Sequence, residues 1–344
     1  MLKGLVLVTV CASLLLVGMI SSQSFGSNDH RFILEWEGFD TTIQKTDCLL
    51  CAEYLNTVKK GWKLPQQIAV DEERNIYVTD TGNSRIQKFT SDGQFLSSWG
   101  TNGVENGELQ SPVGIAIYEN NVYVVDEKQH TVQKFDNDGN FILKWGELGD
   151  ENGEFNNPQG ITIDSNGIVY VADSKNHRIQ QFTSDGEFLL SFGKYGPGDG
   201  HLKTPIDVAV YGDLIYVSDP GNYKIEKYTS DGTFLQTIDY RFAGHFPRPG
   251  GLTATPDGNV YFVDAANYRI IKMNSDGKTL TTFGKLGIGN GKFLEPKDLV
   301  LDNRGYLFVL DSSTGLVQKF ETPIVIQIEE ALQAEQLRKM QELA

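Results

Sequence analysis

Ile76-Tyr-Val-Thr-Asp-Thr-Gly-Asn-Ser-Arg-Ile-Gln-Lys-Phe89 is a pair of short apolar runs joined by a polar turn, and five variants of it follow along the chain. The aspartates that close the first run are Asp80, Asp126, Asp173, Asp219, Asp264 and Asp311, and each copy opens upstream on a proline: Pro65, Pro112, Pro158, Pro205, Pro249 and Pro296. Subtraction of successive numbers gives a repeat of 44 to 47 residues. A fixed period of this size marks stacked supersecondary units. Outward from the quoted stretch lie Ile68-Ala-Val70 on one side and Gln94-Phe-Leu-Ser-Ser-Trp99 on the other, with Asp92-Gly93 as a turn. These β-branched and aromatic runs between turn residues predict four antiparallel strands per copy. A four-stranded unit with two apolar faces cannot bury both alone. Six such units arranged around an axis can, leaving only short edges, so the expected fold is all-β, a six-bladed β-propeller.

Thr79-Asp-Thr-Gly-Asn-Ser-Arg-Ile86 and Ala172-Asp-Ser-Lys-Asn-His-Arg-Ile179 carry a further signal. With the flanking patterns Pro-x-Gly/Asp-Ile-Ala-Val-Asp and Asp-Gly-x-Phe-Leu-x-x-Trp/Phe-Gly, they resemble the NHL repeat, across residues 64 to 320. The resemblance implies a six-bladed propeller, and six copies are present.

The sixth copy is incomplete. After Leu316-Val-Gln-Lys-Phe320 the chain reads Glu-Thr-Pro323, where the other copies have a glycine turn and a fourth strand. Near the start, Asn28-Asp-His-Arg-Phe-Ile-Leu-Glu-Trp36 matches Asn137-Asp-Gly-Asn-Phe-Ile-Leu-Lys-Trp145 with the aromatic residues in register. The expected closure therefore uses residues 31 to 37 as the outer strand of the last blade. The alternative is a separate N-terminal hairpin.

The domain division read from the sequence is a leader at 1–24, a propeller at 25–323 that includes a short helix at 46–61, and an amphipathic helix at 324–344. Met1-Leu-Lys3, an apolar run from Gly4 to Ile20 and a small-residue exit read as a secretory signal; retained, the same segment is an N-terminal membrane anchor. The expected location is secreted or at the cell surface or envelope. Thr46 or Asp47 caps the short helix and Gly61 stops it, placing Cys48 and Cys51 near its start. In an exported chain this CxxC pair is expected as a local disulfide, with a redox pair as the other reading. Ile328, Ala331, Ala334, Leu337, Met340 and Leu343 give the last segment its apolar side.

Net charge is −15. Lysines and arginines are spread through the repeats without a basic cluster, so nucleic acid is excluded as a partner. The resemblance extends to the peptidyl-hydroxyglycine amidating lyases, which implies zinc-binding histidines directly after the opening proline and in the turn between the second and third strands. The residues after the prolines are Gln66, Val113, Gln159, Ile206, Gly250 and Lys297, none of them histidine. Only the turn position is matched, by His130 and His177, too few for a three-ligand catalytic zinc. Farther along the inner strands, Ala69, Ala116, Thr162, Ala209, Thr253 and Val300 offer no metal ligands. The repeated aspartates are expected to hold their turns. No cofactor and no catalytic residue is assigned. Function is sought where the copies differ: the turn position of Ser84 becomes His130, His177, Tyr223 and Tyr268, then Gly315, and the four rings are the expected binding arc, with packing against the neighbouring turn as the alternative. The reading is a non-enzymatic exported module that binds a protein or a small ligand at one face; the alternative is a metal-dependent lyase or hydrolase with an axial site.

Overall fold

The computed structural model describes residues 31–37, 61–239, 248–255, 257–322 and 325. The leader at 1–24, Cys48 and Cys51, all of the 46–61 helix but Gly61, and all of the 324–344 helix but Val325 lie outside these residues. Among the described residues no helix is long and apolar enough to cross a membrane.

Six four-stranded antiparallel sheets follow one another along the chain. Blade 1 is Ile68–Val70, Ile76–Asp80, Arg85–Phe89 and Phe95–Trp99, hydrogen-bonded in that order. Blades 2 to 5 repeat the order with inner strands beginning at Pro112, Pro158, Asp207 and Pro249. Blade 6 holds Pro296–Leu301, Leu307–Asp311 and Leu316–Glu321, and its fourth strand is Arg31–Glu37. That strand runs antiparallel to the third, with Arg31 opposite Glu321 and Glu37 opposite Leu316. Single 3-10 turns, Thr81–Asn83, Ser174–Asn176 and Ala265–Asn267, follow the second strand in three of the blades.

The strand patterns follow from position in the blade. Ile76–Asp80, second from the axis, is buried at every residue, as a strand covered on both faces must be. The outer strand is covered less, with Leu96 exposed between partly buried neighbours. Each apolar cluster lies between two neighbouring blades: Tyr123 and Val125 of blade 2 meet Ile161, Val171 and Phe182 of blade 3. Ile68, Val78 and Phe89 of blade 1 meet Phe308, Leu310 and Val317 of blade 6 in the same way. Burying each such side chain is worth about 1.5–3 kcal/mol, so the joint between last and first blade is held by the same force as the others.

Lysines of the Ile-x-Lys motif tie blades together around the rim. Lys88 donates to Asn137 Oδ1, Lys134 to Ser184 O, Lys227 to Ser275 O and Lys319 to Ser91 O, each in the next blade. Their charges also sit over tyrosine rings of their own blades, Lys88 at 5.1 Å from the Tyr77 ring centre. These cations are structural, which accounts for a repeat rich in lysine without a basic surface patch.

Candidate functional site

The repeated aspartates have one job in all six blades. Asp80, Asp126, Asp173, Asp219, Asp264 and Asp311 are fully buried. Each accepts a backbone N–H from the connector leading into its own blade, at 2.6–3.3 Å. Asn83, Asn176, Asn222 and Asn267 donate to them across the turn. Arg85, Arg178 and Arg269 pair with them at 2.7–2.8 Å. They form the expected architectural set and contribute no carboxylate to the axis.

The turn residues share a backbone state. Ser84, His130, His177, Tyr223, Tyr268 and Gly315 all have left-handed φ, between 54° and 65°. Left-handed φ is uncommon for side chains other than Gly, Asn or Asp, so the repeat imposes it. Their side chains diverge. His130 Nδ1 accepts from Asn157 N at 3.2 Å, and His177 Nδ1 lies 2.7 Å from Lys203 O with its ring 4.7 Å from that of Tyr195. Both histidines thus engage the connector into the next blade. Tyr223 is partly exposed, and Tyr268 alone of the four lines the axial cavity.

That cavity, of about 450 Å³, opens on the face that carries the turns and connectors. The second residue after the opening prolines is, in turn, Gln67, Gly114, Gly160, Asp207, Gly251 and Asp298, and all but Gly114 line the floor of the cavity. Three of these are glycines, and the other three reach across. Gln67 Oε1 accepts from Ile115 N of blade 2, Asp207 Oδ2 from Leu252 N of blade 5, and Asp298 Oδ2 from Ile68 N of blade 1. Gln67 Nε2 donates to Asp207 Oδ1 at 2.9 Å, linking blade 1 to blade 4 across the axis. A Cβ at Gly160 would lie 2.1 Å from Asp207 Oδ1, and one at Gly251 only 1.8 Å from Asp298 Oδ1. Glycine is required there because the neighbouring carboxylate occupies the space. The same three polar residues also line a smaller cavity of about 160 Å³ on the opposite side, so they partition the channel into two blind ends.

Burial pushes Asp207 up to about 7 against the hydrogen bonds from Leu252, Val208 and Gln67. Asp298 is pushed well above the usual carboxylate range, first by burial and then by the charge of Asp207. At the mouth the lining turns ionic. Lys297 pairs with Glu295 at 2.9 Å, Ser313 Oγ donates to the same carboxylate, and Arg248 lies beside them. Partial burial pushes Glu295 up, but the bonds from Lys297 and Ser313 and the charges of Lys297 and Arg248 outweigh it and hold the group below its usual range. Among the described residues no cluster of three or more His, Cys, Asp or Glu could hold a metal.

The NHL repeat family matches residues 63–89 and 155–182. Both matches fall on a blade's turn and its flanking strands, in a ring of six such blades. The chain is a six-bladed β-propeller that carries NHL repeats. No curated protein matches it by sequence. Solved propellers do resemble it. A gluconolactonase from Xanthomonas campestris is 15% identical, with a TM-score of 0.58 over 76% of this chain and 87% of that one. A catalytically inactive virginiamycin B lyase from Staphylococcus aureus, determined with quinupristin, is 15% identical, with a TM-score of 0.56 over 75% of this chain and 94% of that one. A chain of a nidogen/laminin complex is 19% identical, with a TM-score of 0.52 over 66% and 82%. Identities this low establish the shared fold and leave chemistry to the residues of this NHL propeller.

Sequence reading missed Gln67, Asp207 and Asp298. The floor lies between the residue directly after each proline and the positions farther along the inner strand. Three glycines and three polar residues at one repeat position, in a channel too narrow for six side chains, were the available signal.

Proposed function

We propose that this propeller is a non-enzymatic binding or scaffold module, exported to the cell surface or beyond, that receives a small ligand or a protein segment at the turn face over the axial cavity. The carrying observation is the state of the floor: Asp207 and Asp298 accept backbone N–H groups and hold the ring together, which suits a rigid base under a binding cavity. A volume of about 450 Å³ is within the range of small-molecule sites. A second reading, an axial lyase or hydrolase, draws support from the same two carboxyls, because a raised carboxyl in a cavity is also how a general acid or base is prepared. The Cys48–Cys51 disulfide, the leader at 1–24 and the helix at 324–344 belong to the proposal; in exported protein, neither cysteine should react with an alkylating agent until reduced.

The test separates the cavity from the rim, using glycine replacements that accept the left-handed backbone. Tyr223→Gly with Tyr268→Gly should weaken capture of a partner from envelope extracts and leave the melting temperature nearly unchanged. His130→Gly with His177→Gly should do the reverse, since each loses a bond to a connector worth about 1 kcal/mol. The opposite pattern would overturn the assignment of the turn face beside blades 4 and 5. Turnover lost on chelation and restored by a divalent metal would favour the enzyme.

A further inference from the structure

The geometry points to a carboxylate, carried by a small acid or a peptide C-terminus, as the group that the mouth of the axial cavity receives beside Arg248 and Lys297. This rests on the cavity being the binding site and adds the chemistry of its ligand.

Several cations near the blade turns and rims of this propeller are committed to its framework. Arg85, Arg178 and Arg269 pair with the blade aspartates, and Lys88, Lys134, Lys227 and Lys319 bond to the next blade. Arg248 differs: its backbone N–H goes to Asp264, while its exposed guanidinium makes no ion pair or hydrogen bond with any described residue. It lines the cavity together with Lys297, and the two cations face one carboxylate, Glu295, which leaves one positive charge at the mouth. Blade 5 makes room there. Its residues after the proline are Gly250 and Gly251, the one blade with no side chain at either position, so these two lining residues present backbone to the cavity. A guanidinium fork beside bare backbone suits a planar carboxylate, which it can grip through two parallel bonds. One surplus charge matches a monoanion. A phosphate dianion would exceed it. The remaining lining, with the amides of Gln66 and Gln159 and the ring of Tyr268, suits a ligand body that both hydrogen-bonds and stacks.

The experiment titrates the full chain at pH 7 and constant ionic strength with four probes: N-acetylglycine, lactate, N-acetylglycinamide and inorganic phosphate. Saturable binding of at least one carboxylate is expected, with the neutral amide at least tenfold weaker. Arg248→Gln should remove that preference by about tenfold, and Arg304→Gln, on an exposed turn outside the cavity lining, should not change it. N-acetylglycine binding tighter than lactate would assign a peptide C-terminus; the reverse would assign a free acid. Equal binding of acid and amide, preference for phosphate, or an Arg248→Gln variant that binds like the parent would each overturn the inference. Equal binding of acid and amide would still leave the cavity a binding site. Absence of binding by all four probes overturns the carboxylate, while the envelope capture with the tyrosine variants decides the broader reading independently.

Discussion

Replacing Asp298 by Asn separates the two roles of its side chain. The amide oxygen can still accept from Ile68 N, which Asp298 Oδ2 does at 2.9 Å, so the tie to blade 1 survives while the ionisable group is lost. In the parent both axial carboxyls are pushed up by burial, Asp207 to about 7 and Asp298 well above the usual carboxylate range, where the charge of Asp207 adds to the effect of burial. In the unfolded chain aspartates ionise near about 3.9. Between these values the unfolded state has released protons that the folded state retains, so this contribution to stability is full at acid pH and is lost as pH rises. Each retained proton corresponds to about 1.4 kcal/mol per pH unit. From pH 5 to 7 the parent therefore loses about 2 kcal/mol through Asp207 and a further share through Asp298, while Asp298→Asn keeps only the Asp207 share. Because every other carboxyl is common to both proteins, the difference isolates the axis. Urea unfolding at pH 5, 6, 7 and 8 measures it: the variant should gain on the parent as pH rises from 5 to 7, by at most about 3 kcal/mol, the limit for one proton over two pH units. A difference that stays constant over that range would refute the reasoning. Asp207→Asn would be a poorer probe, since Asp207 accepts from both Gln67 Nε2 and Leu252 N, and an amide would set one donor against another at about 1–3 kcal/mol.

Deleting residues 25–37 removes the strand paired with Leu316–Glu321 and uncovers Val317 and Phe320, both buried in the closed ring. Several kcal/mol of lost burial should lower the melting temperature by about 10 °C or more, or leave the protein insoluble; a melt within a few degrees of the parent would contradict closure by this strand. Gly251→Ala places a methyl group 1.8 Å from Asp298 Oδ1 and 2.7 Å from its Cα, so the same urea assay should show a loss of about 1–3 kcal/mol, and a neutral result would mean that the floor has room to spare.

The repeat made the architecture legible. A proline and an aspartate recurring in step fix six copies, and the alternation within each copy fixes its strands. The missing fourth strand of the last copy pointed to residues 31–37 through Phe32 and Trp36, which match Phe141 and Trp145. The aspartate turns were legible for the same reason, because a residue present in every copy serves the copy. The site was harder to read because it depends on distances between blades, which spacing along one blade does not encode. Asp207 and Asp298 look like isolated substitutions until the ring sets each beside a glycine of the preceding blade. His130 and His177 look like neighbours of Tyr268, and the left-handed backbone is indeed shared, but what each ring meets is decided by the connector packed against it.

The ties at the axis also mark time. Gln67 and Asp207 are 140 residues apart, and Ile68 and Asp298 are 230 apart. Contacts of such separation form late, after the entropy of closing the intervening chain has been overcome. The hairpin Ile76–Phe89 can hold its amides as soon as one blade exists. The Ile68 amide finds its acceptor only when blade 6 has arrived beside blade 1. In refolding followed by pulsed hydrogen exchange, the moment at which Ile68 becomes protected is the moment the circle is complete.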